Sequence, residues 1–285
     1  MRYHHSRARS SPRRIQLRGW RALVAFTAVL AIVLFGFLLP AARLLTWSLT
    51  SWRSQWDQSF IGLVGNSFLL AGLAAGCCLL IALLLGYGRR LHPGPVETVA
   101  VRLSSAGYAV PGTVIAVGVM IPFAWFDNQL DAWLQAQFHL SSGLVLSGTL
   151  AALVFAHVVR YLSVALQSVE SGLARIGPAI DDAARSLGQP PLATLGKVHV
   201  PMLRGSLVTA LVLGFVDGRK ELPATLILRP FNFNTLSVRT YELASDERLA
   251  DAATPALAIV SIGLIPVILL TRALRDNAET HDQGA

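Results

Sequence analysis

Six long runs of apolar residues divide the chain, and shorter polar stretches separate them. The runs cover about 22–45, 61–87, 99–123, 144–159 (extending to 164), 207–228 and 252–270. A bilayer core about 30 Å thick needs roughly 20 mostly apolar residues per helix, so each run predicts one membrane-spanning helix. The pattern therefore predicts an all-α membrane protein with six transmembrane helices, in which residues 22–272 form the transmembrane domain.

The composition fits a membrane protein better than a soluble one. Of the 285 residues, 53% are hydrophobic and 14% are charged, whereas soluble domains have about 25% charged residues. So few ionic groups cannot cover a water-facing surface, which disfavours soluble enzymes and nucleic-acid-binding proteins despite the net charge of +8. Cys77 and Cys78 are adjacent in the chain and cannot form a disulfide framework.

The lysines and arginines predict the orientation in the membrane. With six spans, 17 of the 24 fall on the side that holds both termini, which predicts that this side is cytoplasmic. We therefore expect a basic cytoplasmic tail at 1–21, held near anionic lipid rather than nucleic acid, and a second cytoplasmic tail at 273–285. The first apolar run is too long for the core of a signal peptide, and we expect a retained helix.

A polar loop of about 177–204 lies between the fourth and fifth spans, on the predicted cytoplasmic side. Asp181 or Asp182 is expected to cap a short helix at its N-terminus. Gly188 then ends that helix in the left-handed conformation that glycine adopts easily, and a second helical stretch is expected at 192–198. By itself this pattern predicts a helical hairpin at the membrane surface.

The spacing within this loop resembles a family signature. Asp182-Ala183-Ala184 is followed after three residues by Gly188, and after nine more by Val198-His199-Val200-Pro201. This resembles the cytoplasmic signature of ABC importer permeases, which reads Glu-Ala-Ala, three residues, Gly, nine residues, Ile-x-Leu-Pro. The resemblance implies a permease of the six-helix type, with a cytoplasmic coupling helix between helices 4 and 5.

In that family the short helix docks into a cleft of a separate ATPase subunit. The resemblance thus implies that Asp182, Ala183, Ala184, Gly188 and Pro201 form the ATPase-coupling site. Two small alanines would permit close approach, the carboxylate would cap the helix or pair with the partner, and the glycine would set the angle between the two arms.

The chain carries no motif of its own for ATP hydrolysis. A P-loop requires G-x-x-x-x-G-K-[ST], but Gly196-Lys197 is followed by Val198, and Pro191 stands where the first glycine should be. We therefore expect no catalytic residues and no cofactor in this chain, with ATP and Mg²⁺ bound by the partner ATPase.

The fifth apolar run contains a cluster of charges before a proline. Ionic residues near the middle of a span are costly and usually face a bundle interior or a watery cavity. Asp217, Lys220, Glu221 and Pro223 are therefore expected to form a break in the helix that lines the translocation pathway. The alternative is a helix that ends early, with these charges at the outer interface.

Residues around this break indicate a subgroup of the family. The stretch 217–231 is similar to D-x-x-K-E-L-P-A-T-L-x-L-R-P-F of ferric-iron-type permeases, and 107–113 and 235–242 are also similar. The resemblance implies one half of the translocation pathway of an ATP-driven importer for ferric iron in a bacterial inner membrane. It further implies a second permease half, identical or different, and an extracytoplasmic solute-binding protein as partners.

Other substrates and other transport classes stay open. Thiamine, phosphonate and polyamine permeases share much of this pattern. The chain contains no His, Cys and carboxylate cluster with metal-ligand spacing, so no metal site is expected. An ion-coupled secondary carrier is the rival from another class, although the inverted repeats typical of such carriers are not seen.

Overall fold

The computed structural model describes residues 17–55, 57–92 and 94–282, without the side chains of 52–55, 269 and 273–282. Within these ranges the chain forms only helices and loops. Most of the predicted basic tail at 1–21 lies outside the described residues, as do residues 283–285 of the predicted C-terminal tail.

The first apolar run forms one long, nearly continuous helix. It consists of α1 (Trp20–Val33), a π-helical segment (Leu34–Leu38) and α2 (Leu39–Gln55). No residue of α1 is buried. Ser48 of α2 shares a hydrogen bond of 3.0 Å with Thr254 near the other end of the chain, which holds this helix against the last helix.

The second run forms α3 (Gln58–Leu91), which is longer than predicted. Asp57 caps it by accepting a hydrogen bond from the Phe60 amide at 2.9 Å. Arg89 and Arg90 lie in its last turn, where positive charge is favourable because the helix dipole is negative.

The third run is divided between two helices. These are α4 (Pro95–Ala106) and α5 (Gly112–Phe138), joined by a 3₁₀ turn (Gly107–Ala109). Pro111 has an extended ψ of 139° at the start of α5. The single span predicted at 99–123 is therefore wrong, because the chain breaks in its middle and α5 continues to Phe138.

The fourth run forms α6 (Leu150–Leu173), the central helix of the fold. Thirteen of its 24 residues are buried, and it contributes to both hydrophobic clusters of the core. One cluster packs α6 against α3 and the later helix Arg204–Gly218, and the other packs it against α5 and the later helix Pro223–Leu228. The predicted end near 159–164 is too early, so Arg160 lies in the middle of the helix and not at its end.

The remaining elements follow in two groups. After α6 come α7 (Pro178–Ser186), α8 (Pro191–Thr194), a π-helical segment (Leu195–His199), α9 (Val200–Met202) and α10 (Arg204–Gly218). The chain then forms α11 (Pro223–Leu228), α12 (Leu236–Ser245) and α13 (Leu249–Asp282). No apolar run in the sequence predicted α12.

The described residues contain five helices that are long and apolar enough to cross a membrane. A sixth is obtained if Pro191–Met202 and Arg204–Gly218 count as one span, although an 81° bend separates them. The all-α membrane fold is confirmed, while the number of six spans stays a prediction.

Candidate functional site

The predicted coupling loop forms a helical hairpin whose first arm is α7. The helix begins at Pro178, with Gly177 at the N-cap and no side-chain cap. Proline is well suited to the first helical position, because the amide that it lacks would have no partner there. The predicted cap by Asp181 or Asp182 is therefore wrong, since both residues already lie inside the helix.

Gly188 makes the turn between the two arms. Its φ of 72° lies in the left-handed region. The amides of Gly188 and Gln189 donate to the carbonyls of Arg185 and Ala184, each at 3.0 Å, which satisfies the end of α7. The prediction that Gly188 ends the first helix in this conformation is confirmed.

Asp181 joins the hairpin to the transmembrane helices. Its Oδ2 lies 2.6 Å from Arg90 Nη2 at the end of α3. Its Oδ1 lies 2.7 Å from Nε2 of His199. This fully buried residue ends the second arm, which consists of α8 and the π-helical segment Leu195–His199. One carboxylate thus connects α3 with both arms of the hairpin.

Arg90 also binds the backbone that leads into the hairpin. Its Nη1 donates to the Leu173 carbonyl at 2.7 Å, and its Nη2 donates to the Ile176 carbonyl at 2.9 Å. Nearby, the Tyr87 hydroxyl donates to the Pro191 carbonyl at 3.0 Å. The C-terminal end of α3 is therefore fastened to the end of α6 and to the second arm.

Burial and hydrogen bonding oppose each other at the Asp181 carboxyl. Burial acts to raise its pKa because it disfavours the charged form, but hydrogen bonds from Arg90 and His199 favour that form. The hydrogen bonds prevail, and the pKa of Asp181 lies below its ordinary value.

The predicted coupling residues divide between two faces of the hairpin. Asp182, Ala183, Gly188 and Pro201 are exposed, whereas Ala184 is buried against the rest of the protein. The Asp182 carboxylate has only a distant contact, 3.6 Å from Arg185, with both side chains in solvent.

Two leucines near the Gly188 turn, which are not among the predicted coupling residues, are also exposed. Leu187 is 79% exposed and Leu192 is 75% exposed. Their position on either side of the Gly188 turn could have identified them in the sequence as exposed residues of the hairpin. These two leucines and the exposed residues Asp182 and Ala183 are referred to below as the outer face of the hairpin.

The charged part of the fifth run lies where the helix breaks. The helix α10 ends at Gly218, and α11 begins at Pro223, its first residue. Within the break, Lys220 Nζ lies 2.7 Å from Oδ1 of Asp217, a residue in the last turn of α10. The lysine side chain is 59% exposed. The predicted break is therefore present.

Glu221 is separated from this pair and lies inside the bundle. The Tyr161 hydroxyl donates to Glu221 Oε2 at 2.6 Å, and Arg160 Nε lies 3.1 Å from the same oxygen. Arg160 Nη1 also donates to the Val110 carbonyl at 2.8 Å, beside the break before α5. The Arg160–Glu221 pair thus connects α6 with both interrupted helices.

The predicted pathway residues do not form one cluster. Asp217 and Lys220 neutralise each other toward the surface, while Glu221 pairs with Arg160 of the central helix. Arg160 and Tyr161, the partners of Glu221, were not predicted from the sequence. In the described part of the chain, no group of three or more His, Cys, Asp or Glu side chains gathers that could hold a metal ion.

Sequence comparisons find transport permeases. The chain is 28% identical over 236 residues to the Fe(3+)-transport system permease protein FbpB 2 of Haemophilus influenzae, covering 82% of this chain but only 44% of that protein. It is 29% identical over 269 residues to the putative 2-aminoethylphosphonate transport system permease protein PhnV of Salmonella paratyphi A, covering 88% and 94% respectively. No family model matches the chain.

Solved structures share the fold. A bacterial alginate ABC transporter, in complex with an alginate-bound periplasmic protein, aligns with a TM-score of 0.69 at 12% identity over 90% of this chain and 94% of that one. The MetNI methionine ABC transporter aligns with a TM-score of 0.55 at 15% identity over 77% and 98%. These likenesses concern the arrangement of the helices.

Proposed function

We propose that this chain, which resembles the permeases of ABC importers in sequence and has their fold, forms one half of the translocation pathway of an ATP-driven importer. The supporting observation is the hairpin of α7 and α8. It is fastened on one side to α3 through Asp181 and Arg90. On the other side it leaves Leu187 and Leu192 in solvent.

The outer face of the hairpin is the proposed docking surface for an ATPase subunit. Exposed leucines next to small and acidic residues offer apolar area to bury, together with one charge for orientation. The ATPase would bind ATP and Mg²⁺ and carry out the hydrolysis, so this chain would act as a translocation subunit and not as an enzyme.

Movement of the hairpin would reach the membrane by two connections. The first is the Asp181–Arg90 ion pair, which leads directly to the end of α3. The second is the bend of 81° before α10, at the buried Leu203. Packed cores transmit displacement because they resist compression, so closure of the ATPase would shift α3 and α10 together.

The broken helices are the proposed pathway elements. Asp217, Lys220, Glu221 and Pro223 lie at the break between α10 and α11, and the Arg160–Glu221 pair holds this break against α6. A second permease half, identical or different, would complete the pathway. A solute-binding protein would deliver the substrate at the outer face of a bacterial inner membrane, with both termini of this chain in the cytoplasm.

Ferric iron is the proposed substrate, because the motif at 217–231 resembles ferric-type permeases and FbpB 2 is among the relatives. A phosphonate is the second candidate, because PhnV is matched over 94% of its length. In either case, substrate selection would belong mainly to the binding protein.

The test is reconstitution of the chain with its ATPase and second half in proteoliposomes. We expect a binding protein loaded with ferric iron to stimulate ATP hydrolysis and ATP-dependent uptake. Stimulation only by a phosphonate-loaded protein would instead support the second substrate. Uptake driven by an ion gradient without ATP would contradict the importer and support a secondary carrier.

A further inference from the structure

A groove with a volume of about 470 Å³ opens between the end of α6 and the start of α10. Four hydroxyl side chains line it, Ser168 and Ser171 from α6 and Ser206 and Thr209 from α10. The helix α6 is long and apolar enough to cross a membrane. Polar side chains on such helices usually face the bundle interior or a watery cavity. The groove is therefore suited to water and polar solutes.

Three of these hydroxyl groups are free to accept hydrogen bonds in the groove. Ser168 donates its proton to the Val164 carbonyl at 3.0 Å, and Ser171 donates to the Ser168 carbonyl at 2.9 Å. Thr209 donates to the Gly205 carbonyl at 2.8 Å. Because a hydroxyl oxygen keeps two lone pairs when its proton is used, each of these oxygens can still accept from water.

The groove carries one cation and no carboxylate. Arg175 follows the end of α6, is exposed and lines the groove, and no acidic residue is among the lining residues. A cleft with charge of one sign raises the local concentration of solutes of the opposite sign. Arg175 therefore favours a negatively charged solute, such as a phosphonate or ferric iron in an anionic complex, over a bare cation.

The face of α10 that lines the groove also leads to the break between α10 and α11. Thr209 and Lys220 are 11 positions apart, which is about three helical turns, so they lie on the same face. The backbone stays helical at Arg219, directly after α10. The groove and the charged break are thus two parts of one surface.

The groove is also in contact with the hairpin. Met202 and Leu203, at the bend of 81° before α10, form part of its wall. At Gly172 the helix α6 approaches this bend so closely that an added Cβ would lie 2.7 Å from Leu203 Cδ2. A displacement of the hairpin would therefore reach the wall of the groove directly.

We infer that this groove is the cytoplasmic exit of the translocation pathway, and that Arg175 makes the exit selective for negatively charged solutes. The inference rests on the proposed transport function. The exit continues along α10 to the break, and it is filled with water in the assembled complex. Arg175 acts through its charge and does not belong to the outer face of the hairpin.

The experiment measures the reaction of single cysteines with membrane-impermeant methanethiosulfonates, one anionic and one cationic. Inverted membrane vesicles that contain the complete complex expose the cytoplasmic face, and Cys77 and Cys78 are replaced by Ala. Thr209→Cys and Ser206→Cys are expected to react with both reagents. Val208→Cys is the matched control, because Val208 is 49% exposed but does not line the groove, and it should stay unreactive.

A second substitution tests the charge of Arg175. In the Thr209→Cys chain, Arg175→Gln should lower the rate with the anionic reagent relative to the cationic one by about two- to fivefold, as for one unit charge a few ångströms away in water. The difference should shrink at about 1 M salt. Arg185→Gln is the control, because Arg185 does not line the groove, and it should leave the ratio unchanged.

The outcomes separate this inference from the proposed function. If neither groove cysteine reacts, or if Val208→Cys reacts equally, the exit is overturned, and normal ATP-dependent uptake by the same variants would show that the importer stands. Reaction confined to the groove, in vesicles whose uptake does not need ATP, would support the exit and contradict the importer. An unchanged ratio of rates in Arg175→Gln would overturn the selectivity assigned to Arg175.

Discussion

Asp181 accepts hydrogen bonds from Arg90 on α3, with its Oδ2 2.8 Å from the Nε of that arginine and 2.6 Å from its Nη2. The two residues are 91 positions apart in the chain, and both side chains are largely buried. This pair connects the hairpin that is proposed to receive the ATPase with a helix that is long enough to cross the membrane.

Replacing Arg90 by Ala should loosen the hairpin and uncouple ATP hydrolysis from uptake. The variant leaves the Asp181 carboxylate and three backbone carbonyls without this donor, and hydrogen bonds to charged groups are worth about 1.5–3 kcal/mol. We expect a lower melting temperature and less substrate imported per ATP hydrolysed. Both are measured on the reconstituted complex.

The adjacent arginine provides the control for that experiment. Arg89 pairs with Glu170 in a more exposed position, with the two side chains 43% and 32% exposed. Exposed pairs are worth about 0–1 kcal/mol, so Arg89→Ala should change little. Equal effects of the two substitutions would show that the position of Arg90 has no special importance.

The Asp181 contribution to stability should depend on pH. Because its pKa is lower in the folded state, the contribution is complete above the ordinary carboxyl pKa, about 3.9. It is lost as the pH falls through the lower folded value. Melting curves between about pH 7 and pH 3 should show that the advantage of the wild type over Asp181→Asn shrinks with acidity.

The Asp182→Asn variant is the control for the pH series. Its side chain is 69% exposed, so Asp182→Asn should melt like the wild type at every pH. A constant difference between the wild type and Asp181→Asn down to pH 3 would contradict the ion-pair explanation.

Gly188→Ala should strain the hairpin without creating a clash. No atom lies within 4 Å of an added Cβ, but the φ of 72° is unfavourable for alanine, at a cost of roughly 1–2 kcal/mol. We expect reduced uptake at normal abundance in the membrane. Gly196→Ala, which also meets no atom within 4 Å and has no positive φ, should retain full uptake.

Breaking the Arg160–Glu221 pair should destabilise the bundle more than removing both charges. A buried charge left alone costs about 3–5 kcal/mol, whereas replacement of both partners by apolar residues is often neutral. Glu221→Leu should therefore lower the melting temperature strongly, and Arg160→Met combined with Glu221→Leu should recover most of it. If the double variant is no better than the single one, the pair does not explain the effect.

Lys220→Ala should affect uptake more than assembly. The lysine is paired with Asp217 but is 59% exposed, so its loss should change stability by about 1 kcal/mol or less. Uptake by proteoliposomes is expected to fall while the amount of assembled complex stays normal. Unchanged uptake would indicate that the break between α10 and α11 has a structural role only.

Local signals in the sequence were sufficient for part of this fold. The apolar runs at 61–87 and 252–270 predicted α3 and α13, because no cluster of charged residues interrupts either run. Gly188 identified the hairpin turn because glycine adopts a positive φ at low cost. Each of these features depends on residues that are close together in the chain.

Features that depend on distant partners could not be predicted. The charge of Arg160 led to the wrong prediction that the fourth span ends near this residue. Its partner, Glu221, lies 61 positions later in the chain and could not be recognised from the local sequence. Asp181 or Asp182 was expected to cap a helix, because nothing local indicated that Arg90 would reach Asp181. Polar residues inside a membrane bundle are interpretable only once their partners are known.

The most direct measurement is ATP-dependent uptake into proteoliposomes, in which the Leu187→Asp variant is compared with the wild type. The proteoliposomes contain the chain, the ATPase and the second permease half, and a loaded binding protein is added. Leu187 is 79% exposed, so the substitution should leave the melting temperature of the isolated chain unchanged. If the ATPase docks on the hairpin, loss of a contact worth about 1.4 kcal/mol weakens its binding about tenfold. Uptake and the amount of ATPase bound to the complex should then fall together. Normal uptake with a normal amount of bound ATPase would contradict the account.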